Sequence, residues 1–460
     1  MSIDPSIFKS YDIRGIYPTQ IDEKKIAQIA KAIFVFFQKK LNKEQPTILL
    51  AYDMRLSGPQ LFSSVKNALI EMGANVVDAG QLSTPSFYFA VFHYKYDAGI
   101  QVTASHNPKE WNGIKFVMSG PTGLIKIGKP TGMEDVQKLS MQDLKPTGIK
   151  GTVVQKSGIL EDEVVEAKKL VDTSSLKKLK IIADPANAMG AQYIEALFKT
   201  VPSELIRMNF ELDGNFPVHE PNPLKFETLV DLQKRVVEEK ADLGLATDGD
   251  ADRLFFIDEK GQIVPSTCIT AIVARELLKK YPGELIYFDI RDILGPLKLI
   301  EEFGGKSEIV RVGHAYITEA MNKTGGIFAG ESSGHMFFRA NGNAEWNLPI
   351  ILIILKVISD ENKPLSEIIK EVKRSYELPE YNFEVTNSKE ILEKLKEKYK
   401  DGKFWDIDGV SISYDDWRFN VRTSNTEPLL RLNVEGYNGD EVEKRYEELK
   451  SFIESVAKHE

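Results

Sequence analysis

The sequence predicts an α/β protein: three similar α/β domains with mixed, largely parallel sheets and a C-terminal α+β domain, set around a central cleft. Three observations carry this. Strand and helix patterns alternate in three rounds along 460 residues. Each round closes in a polar, glycine-bearing loop, and the rhythm changes in roughly the last 90 residues, as for a separate smaller domain. A chain of this length exceeds one hydrophobic core. The expected domains are 1–150, 151–256, 257–368 and 369–460.

In the first round, Ile26, Ile29, Ala30, Ile33, Phe37 and Leu41 recur at helical spacing. "TILLAY" at 47–52 reads as a strand. Leu61, Phe62, Val65, Leu69 and Met72 make a second helix that Gly73 is placed to end. "NVVDAG" at 75–80 is a strand, and Thr84-Pro85 caps and opens a third helix. "AGIQV" at 98–102 is the strand that delivers "TASHNP" at 103–108. This βαβαβ order implies parallel strands with helices on both faces.

The second round runs through "LKIIAD" (179–184), a helix near 189–199 and "ADLGLAT" (241–247), ending in "DGDADR". In the third, "ELIYFD" (284–289), "SEIVRV" (307–312), a helix near 316–323 and "GGIFAG" (325–330) end in "GESSGH". Ligands of open α/β sheets bind outside the carboxyl ends of strands, so three such loops are expected to line one crevice. "LPIILIILKVI" at 348–358 is too short to span a bilayer and reads as a buried helix. The last domain has short strands near 404–414, 417–421 and 429–434 and a helix from about 439 to 457. Between its strands lies "RTSNTEP" at 422–428.

Composition narrows the function. With 42% hydrophobic and 28% charged residues, the chain is an ordinary soluble one. A net charge of −9 and the lack of a Lys/Arg block argue against nucleic acid as a partner. The single cysteine, Cys268, excludes an intrachain disulfide and fits a reducing compartment. "MSIDPSIFKS" has no basic region ahead of an apolar core, so a cytoplasmic location without membrane attachment is expected.

"DGDADR" sets Asp248, Asp250 and Asp252 at alternate positions after a strand. Three close carboxylates repel unless a cation sits among them, and hard oxygen ligands suit Mg²⁺ or Ca²⁺. An EF-hand reading finds Glu259 at the twelfth position, but Arg253 stands where the turn needs glycine, and the flanks read as strands. "GESSG" matches a serine-hydrolase elbow on Ser332, yet the extended-looking "HMFF" follows in place of a helix. "RTSNTEP" gathers donors suited to an anion.

Together these loops resemble those of the α-D-phosphohexomutases, most closely the phosphomannomutase/phosphoglucomutase branch. The resemblance covers nearly the whole chain, through "YDIRG" (11–15), "RLSGP" (55–59), "TASHNP", "NGIKF" (112–116), "DGDADR", "GHAYI" (313–317), "GESSGH" and "RTSNTEP". It implies interconversion of hexose 1-phosphate and hexose 6-phosphate, of mannose and/or glucose. Ser105 would carry the phosphoryl group, and a hexose 1,6-bisphosphate would be activator and bound intermediate. One Mg²⁺ would be held by Ser105, Asp248, Asp250 and Asp252. Arg14 and Lys115 would flank the phosphoserine, one stabilising charge and the other moving a proton, with His314 a further proton-transfer candidate. The substrate would meet Tyr11, Arg253, Arg291, Gly313, Glu331, Ser332, Ser333, Gly334 and His335. Arg422, Thr423, Ser424, Asn425 and Thr426 would grip the distal phosphate. His106 is expected to orient its loop rather than act as a base.

Five places depart from the branch. Arg291 replaces a lysine after "FDI", Thr318 replaces a lysine after "GHAYI", Ser332 stands at the variable sugar-loop position where methionine is more typical, "NGNAEWN" (341–347) replaces an acidic pair with glycine, and "HEPNP" (219–223) replaces a more histidine-rich stretch. An amino-sugar (glucosamine phosphate) mutase and a non-catalytic sugar-phosphate binder therefore stay open as alternatives. So does the choice between monomer and dimer.

Overall fold

The computed structural model describes residues 3–146, 148–423 and 429–458. Four sheets follow one another along the chain. The first has the order Ile13–Ile16, Trp111–Ser119, Ala98–Val102, Thr47–Tyr52, Asn75–Gln81, Val153–Gln155, with Leu124–Lys126 beside Trp111–Ser119. Its centre is parallel as the βαβαβ order requires, and Trp111–Ser119 turns the edge antiparallel. The sheet extends past residue 150, because Val153–Gln155 pairs with Asn75–Gln81.

The second sheet runs Ile263–Val264, Leu254–Ile257, Leu243–Thr247, Lys180–Asp184, Glu204–Arg207. The third runs Lys306–Val310, Leu285–Asp289, Phe328–Gly330, Met336–Phe338, Ala344–Glu345. Both mix parallel and antiparallel neighbours. The fourth is antiparallel throughout and is built on Leu429–Gly436 and Trp417–Thr423, backed by the helix Gly439–Val456.

Local chemistry accounts for the helix limits. Gly73 ends Gly58–Met72 at φ 105, where a residue with a Cβ is strained. Ser83, not Thr84, caps Thr84–His93: the Ser83 hydroxyl accepts from the Ser86 amide. Thr84 is the first helical residue, which frees its hydroxyl for another partner.

One apolar core runs through the first three domains without a break, joining Leu49, Phe87, Leu245, Ile272 and Ile354. The helix Asn347–Glu361 is buried along nearly its whole length and packs on Ile159–Leu170 and Ser266–Lys280. The last domain keeps its own core around Phe419, Leu432 and Ile453. Among the described residues, no helix is long and apolar enough to cross a membrane.

Candidate active site

Three loops meet outside the carboxyl ends of parallel strands: Ser105 of the first touches Asp248 of the second, and the second touches the third through Asp252 and His335. The serine is 2% exposed and takes a left-handed backbone, φ 51. Its amide donates to Thr103 Oγ1 at 3.0 Å, and Thr103 Oγ1 donates to Asp53 Oδ2 at 2.6 Å. Beneath the loop, the buried Arg55 guanidinium donates to the carbonyls of Ser105, Asn107, Pro108 and Trp111 at 2.7–2.9 Å. Only a planar five-donor fork satisfies four inward carbonyls at once. Asp53 balances its charge at 3.3 Å.

Ser105 Oγ lies 3.1 Å from Asp248 Oδ2 and 3.2 Å from His106 Nδ1. Burial, with Arg253 and Arg14 nearby, pushes His106 well below the ordinary imidazole range, so it faces Ser105 uncharged.

Asp248, Asp250 and Asp252 are all buried, with one carboxylate oxygen from each lying within 4.8 Å of the others. Burial and the two neighbouring carboxylates push Asp248 up to about 7. Lys115 Nζ sits 2.6 Å from both Asp250 and Asp252. Burial alone would lower this ammonium, but the two carboxylates outweigh it and hold Lys115 well above its usual range. The loop is braced from outside. Thr84 Oγ1 donates to Asp250 Oδ2 at 2.7 Å, and Asn347 Nδ2 donates to the carbonyl of Ala251 at 2.9 Å. Asp250 Oδ1 is buried with no protein partner. Three hard oxygen donors with an orphaned carboxylate oxygen fit a divalent cation such as Mg²⁺. The EF-hand reading fails, because Glu259 is engaged by the Ser366 amide at 3.1 Å, outside this loop.

The third loop joins this cluster through His335, whose Nε2 lies 3.2 Å from Asp252 Oδ1 and whose Nδ1 lies 3.1 Å from Glu331 Oε2. Burial opposes its charge, but Asp252 and Glu331 hold His335 up to about 9. Glu331 Oε1 accepts the Gly313 amide at 3.0 Å. Asp289 Oδ2 accepts the Ser332 amide at 2.9 Å. Arg291 grips Asp289 through Nε and Nη2, both at 2.8 Å, and reaches Ser333 Oγ at 3.3 Å. Gly334, at φ 87, packs against Phe255 where a Cβ would collide. After it the chain runs into the strand Met336–Phe338, so Ser332 is not on a strand-to-helix elbow.

Around the rim, Arg14 pairs with Asp12 at 2.6 Å and donates to Asn107 Oδ1 at 2.5 Å. Tyr11 donates to the Val312 carbonyl at 2.9 Å and its ring lies 5.2 Å from that of His314. Gly313, at φ 131, lies so close to Tyr11 that a Cβ would meet its hydroxyl. His314 Nδ1 and Arg253 Nη1 are both buried without a protein partner. Arg422 is 1% exposed and paired with Glu380 at 2.5 Å, and Thr423 is the exposed end of its strand. Ser424, Asn425 and Thr426 lie outside the described residues.

All four domain models of one family match the chain in order. They are the phosphoglucomutase/phosphomannomutase alpha/beta/alpha domains I, II and III at residues 5–127, 162–261 and 266–376, and the C-terminal domain at 380–450. A phosphomannomutase of Vibrio cholerae is 34% identical over 460 residues, 98% of each chain. One from Methanocaldococcus jannaschii is 36% identical over 461 residues, also 98% of each.

The chain belongs to the phosphoglucomutase/phosphomannomutase family.

A crystal structure of a phosphoglucomutase/phosphomannomutase family protein from Burkholderia thailandensis matches with a TM-score of 0.88 at 28% identity, covering 99% of this chain and 98% of that one. The fold extends to an Aspergillus fumigatus N-acetylphosphoglucosamine mutase solved with GlcNAc-6P and magnesium, at a TM-score of 0.63 and 13% identity over 99% of this chain and 96% of that one.

In this phosphohexomutase, the departures at Thr318 and 341–347 acquire a structural account. Thr318 is buried and donates to the Asn343 carbonyl at 2.9 Å, fastening the 341–347 turn. Glu345, on the short strand that follows Asn343, pairs with the buried Lys126, whose ammonium also lies 4.6 Å from the Tyr88 ring. Sequence reasoning gave no site role to Asp53, Arg55, Lys126 or Asn347, and read Thr84 only as a helix cap. The signal for the first two was present, since Asp53 and Arg55 alternate directly after a strand, as the metal-loop aspartates do.

Proposed function

We propose that the chain is a Mg²⁺-dependent mutase acting on mannose and/or glucose phosphates, with Ser105 as the phosphoryl carrier. The single observation that carries this is the buried Ser105 hydroxyl set 3.1 Å from the Asp248 carboxylate of a three-aspartate cluster. Asp248, Asp250 and Asp252 would hold the ion together with the Ser105 ester. When bound, Mg²⁺ neutralises charge on the transferring group.

The protein's own groups divide the remaining work. A phosphoryl group on Ser105 passes to the free hydroxyl of a hexose monophosphate, giving the 1,6-bisphosphate. That intermediate reorients, and Ser105 Oγ takes back the other phosphoryl group, so no phosphate is gained or lost. Lys115 Nζ would exchange a proton once Asp250 and Asp252 turn to the ion and stop holding its charge, because Arg14 does not titrate in this range and serves by charge. Glu331 and Ser333 read sugar hydroxyls, while Arg291 and Arg253 face phosphate oxygens. The last domain, with Arg422, closes on the distal phosphate and excludes water. Arg422 would have to share its guanidinium between Glu380 and that phosphate.

The test offers the full-length enzyme mannose, glucose and glucosamine 1-phosphates with Mg²⁺ and a hexose 1,6-bisphosphate. Turnover of the first two, with phosphate recovered on the peptide containing Ser105, is expected. Exclusive turnover of the glucosamine compound overturns the sugar assignment. Turnover without any phosphate on Ser105 overturns the carrier.

A further inference from the structure

The last domain reaches into the third through two residues that no motif contains. Arg418 and Glu435 stand directly opposite each other on neighbouring strands, Trp417–Thr423 and Leu429–Gly436. Both are fully buried, and Arg418 Nη1 lies 2.5 Å from Glu435 Oε1. Nη2 also donates to Ser411 Oγ at 2.6 Å, and the fork crosses the domain boundary: Nη1 donates to the Arg291 carbonyl at 2.9 Å and Nη2 to the Ile290 carbonyl at 2.8 Å. Glu435 crosses beside it, accepting the amides of Ile293 at 2.6 Å and Leu294 at 3.0 Å. Those amides open the helix Leu294–Glu302, where a carboxylate satisfies donors that have no partner within the helix.

Four backbone groups of the segment 290–294 are thus held by one ion pair belonging to another domain. Within that segment Arg291 reaches back to Asp289 and across to Ser333 in the sugar loop. Arg422 lies on the same strand and the same face as Arg418, four residues along, or about 13 Å at strand rise.

We propose that Arg418, with Glu435, is a positioning residue for substrate: it fixes the backbone from which Arg291 projects and so sets the distance between the sugar loop and the distal-phosphate strand. Arginine is required because one guanidinium must satisfy a carboxylate and two carbonyls in one plane. A lysine keeps the charge and loses the fork. This inference rests on the reading of Arg291 as a substrate contact.

A double-mutant cycle on the full-length, Mg²⁺-loaded enzyme tests it, with kcat/KM for a hexose 1-phosphate as readout. Arg418→Gln is expected to lower kcat/KM about tenfold in the wild-type background, as for a displaced binding group. In an Arg291→Met background the same change should cost less than about twofold, because its effect runs through Arg291. Equal losses in both backgrounds would make Arg418 a mere structural brace and overturn the proposal. An Arg291→Met enzyme with undiminished kcat/KM would instead overturn the role of Arg291 itself. If Arg418→Gln does not fold, Arg418→Lys takes its place with the same outcomes.

Discussion

Ser105 Oγ and Asp248 Oδ2 stand 3.1 Å apart although 143 residues separate them in sequence. The first domain supplies the hydroxyl and the second the carboxylate, so neither domain alone holds both. Replacing Ser105 by Ala removes the proposed carrier and its contacts to Asp248 and His106. Turnover should fall at least about a thousandfold, as when a nucleophile is lost, with the melting temperature shifted by only a few degrees. A Ser105→Ala enzyme that keeps a tenth of its activity would sink the mechanism.

Chelation should abolish turnover and restored Mg²⁺ should recover it. Independently of activity, Mg²⁺ at about a hundred times its Kd should stabilise the wild type by roughly 2.7 kcal/mol in denaturant unfolding. The variant with Asn at 248, 250 and 252 should not respond. An equal response would place the ion elsewhere.

The Lys126–Glu345 pair is buried on both sides. Breaking half of such a pair leaves an uncompensated charge, so Glu345→Gln should destabilise by about 3 kcal/mol, and Lys126→Met with Glu345→Leu together by less. Urea midpoints of the three proteins decide this, and an unaffected single variant would contradict it.

Glu163 is buried beside Trp346 and against Ser86, whose hydroxyl donates to it at 2.6 Å. Burial pushes its carboxyl up to about 7. The folded chain therefore holds this proton more tightly than the unfolded chain. The contribution is complete below the ordinary glutamate value, declines as pH rises, and is gone above about 7. Glu163→Gln should match the wild type near pH 4 and gain on it by up to about 3 kcal/mol by pH 8. Parallel stability curves for the two proteins would refute this.

The architecture and the loop chemistry were legible because both are written locally. Alternating strand and helix periods announced the three α/β domains, and each loop's composition announced the carboxylates, hydroxyls and cations it brings to the cleft. The helix Ser388–Lys398 escaped notice because only Ile391 and Leu395 of it are buried, too thin a stripe to read among its charges. Partnerships across long separations were equally hidden. Lys115 was placed beside the phosphoserine by resemblance, but nothing local showed that it would sit between Asp250 and Asp252, and Arg55 carried no mark of the four carbonyls it gathers. Thr318 read as a lost lysine, whereas its hydroxyl fastens the neighbouring turn.

The backbone at Ser105 has a consequence for how the chain can drift. At φ 51, a left-handed conformation, a β-branched side chain is strongly disfavoured. Threonine offers the same hydroxyl and could carry the same ester, yet this turn refuses it. The choice at 105 is narrowed from two sides: chemistry asks for an alcohol, and the turn asks for an unbranched one. A lineage that lost this serine would have to rebuild the turn before any other alcohol could take over the work.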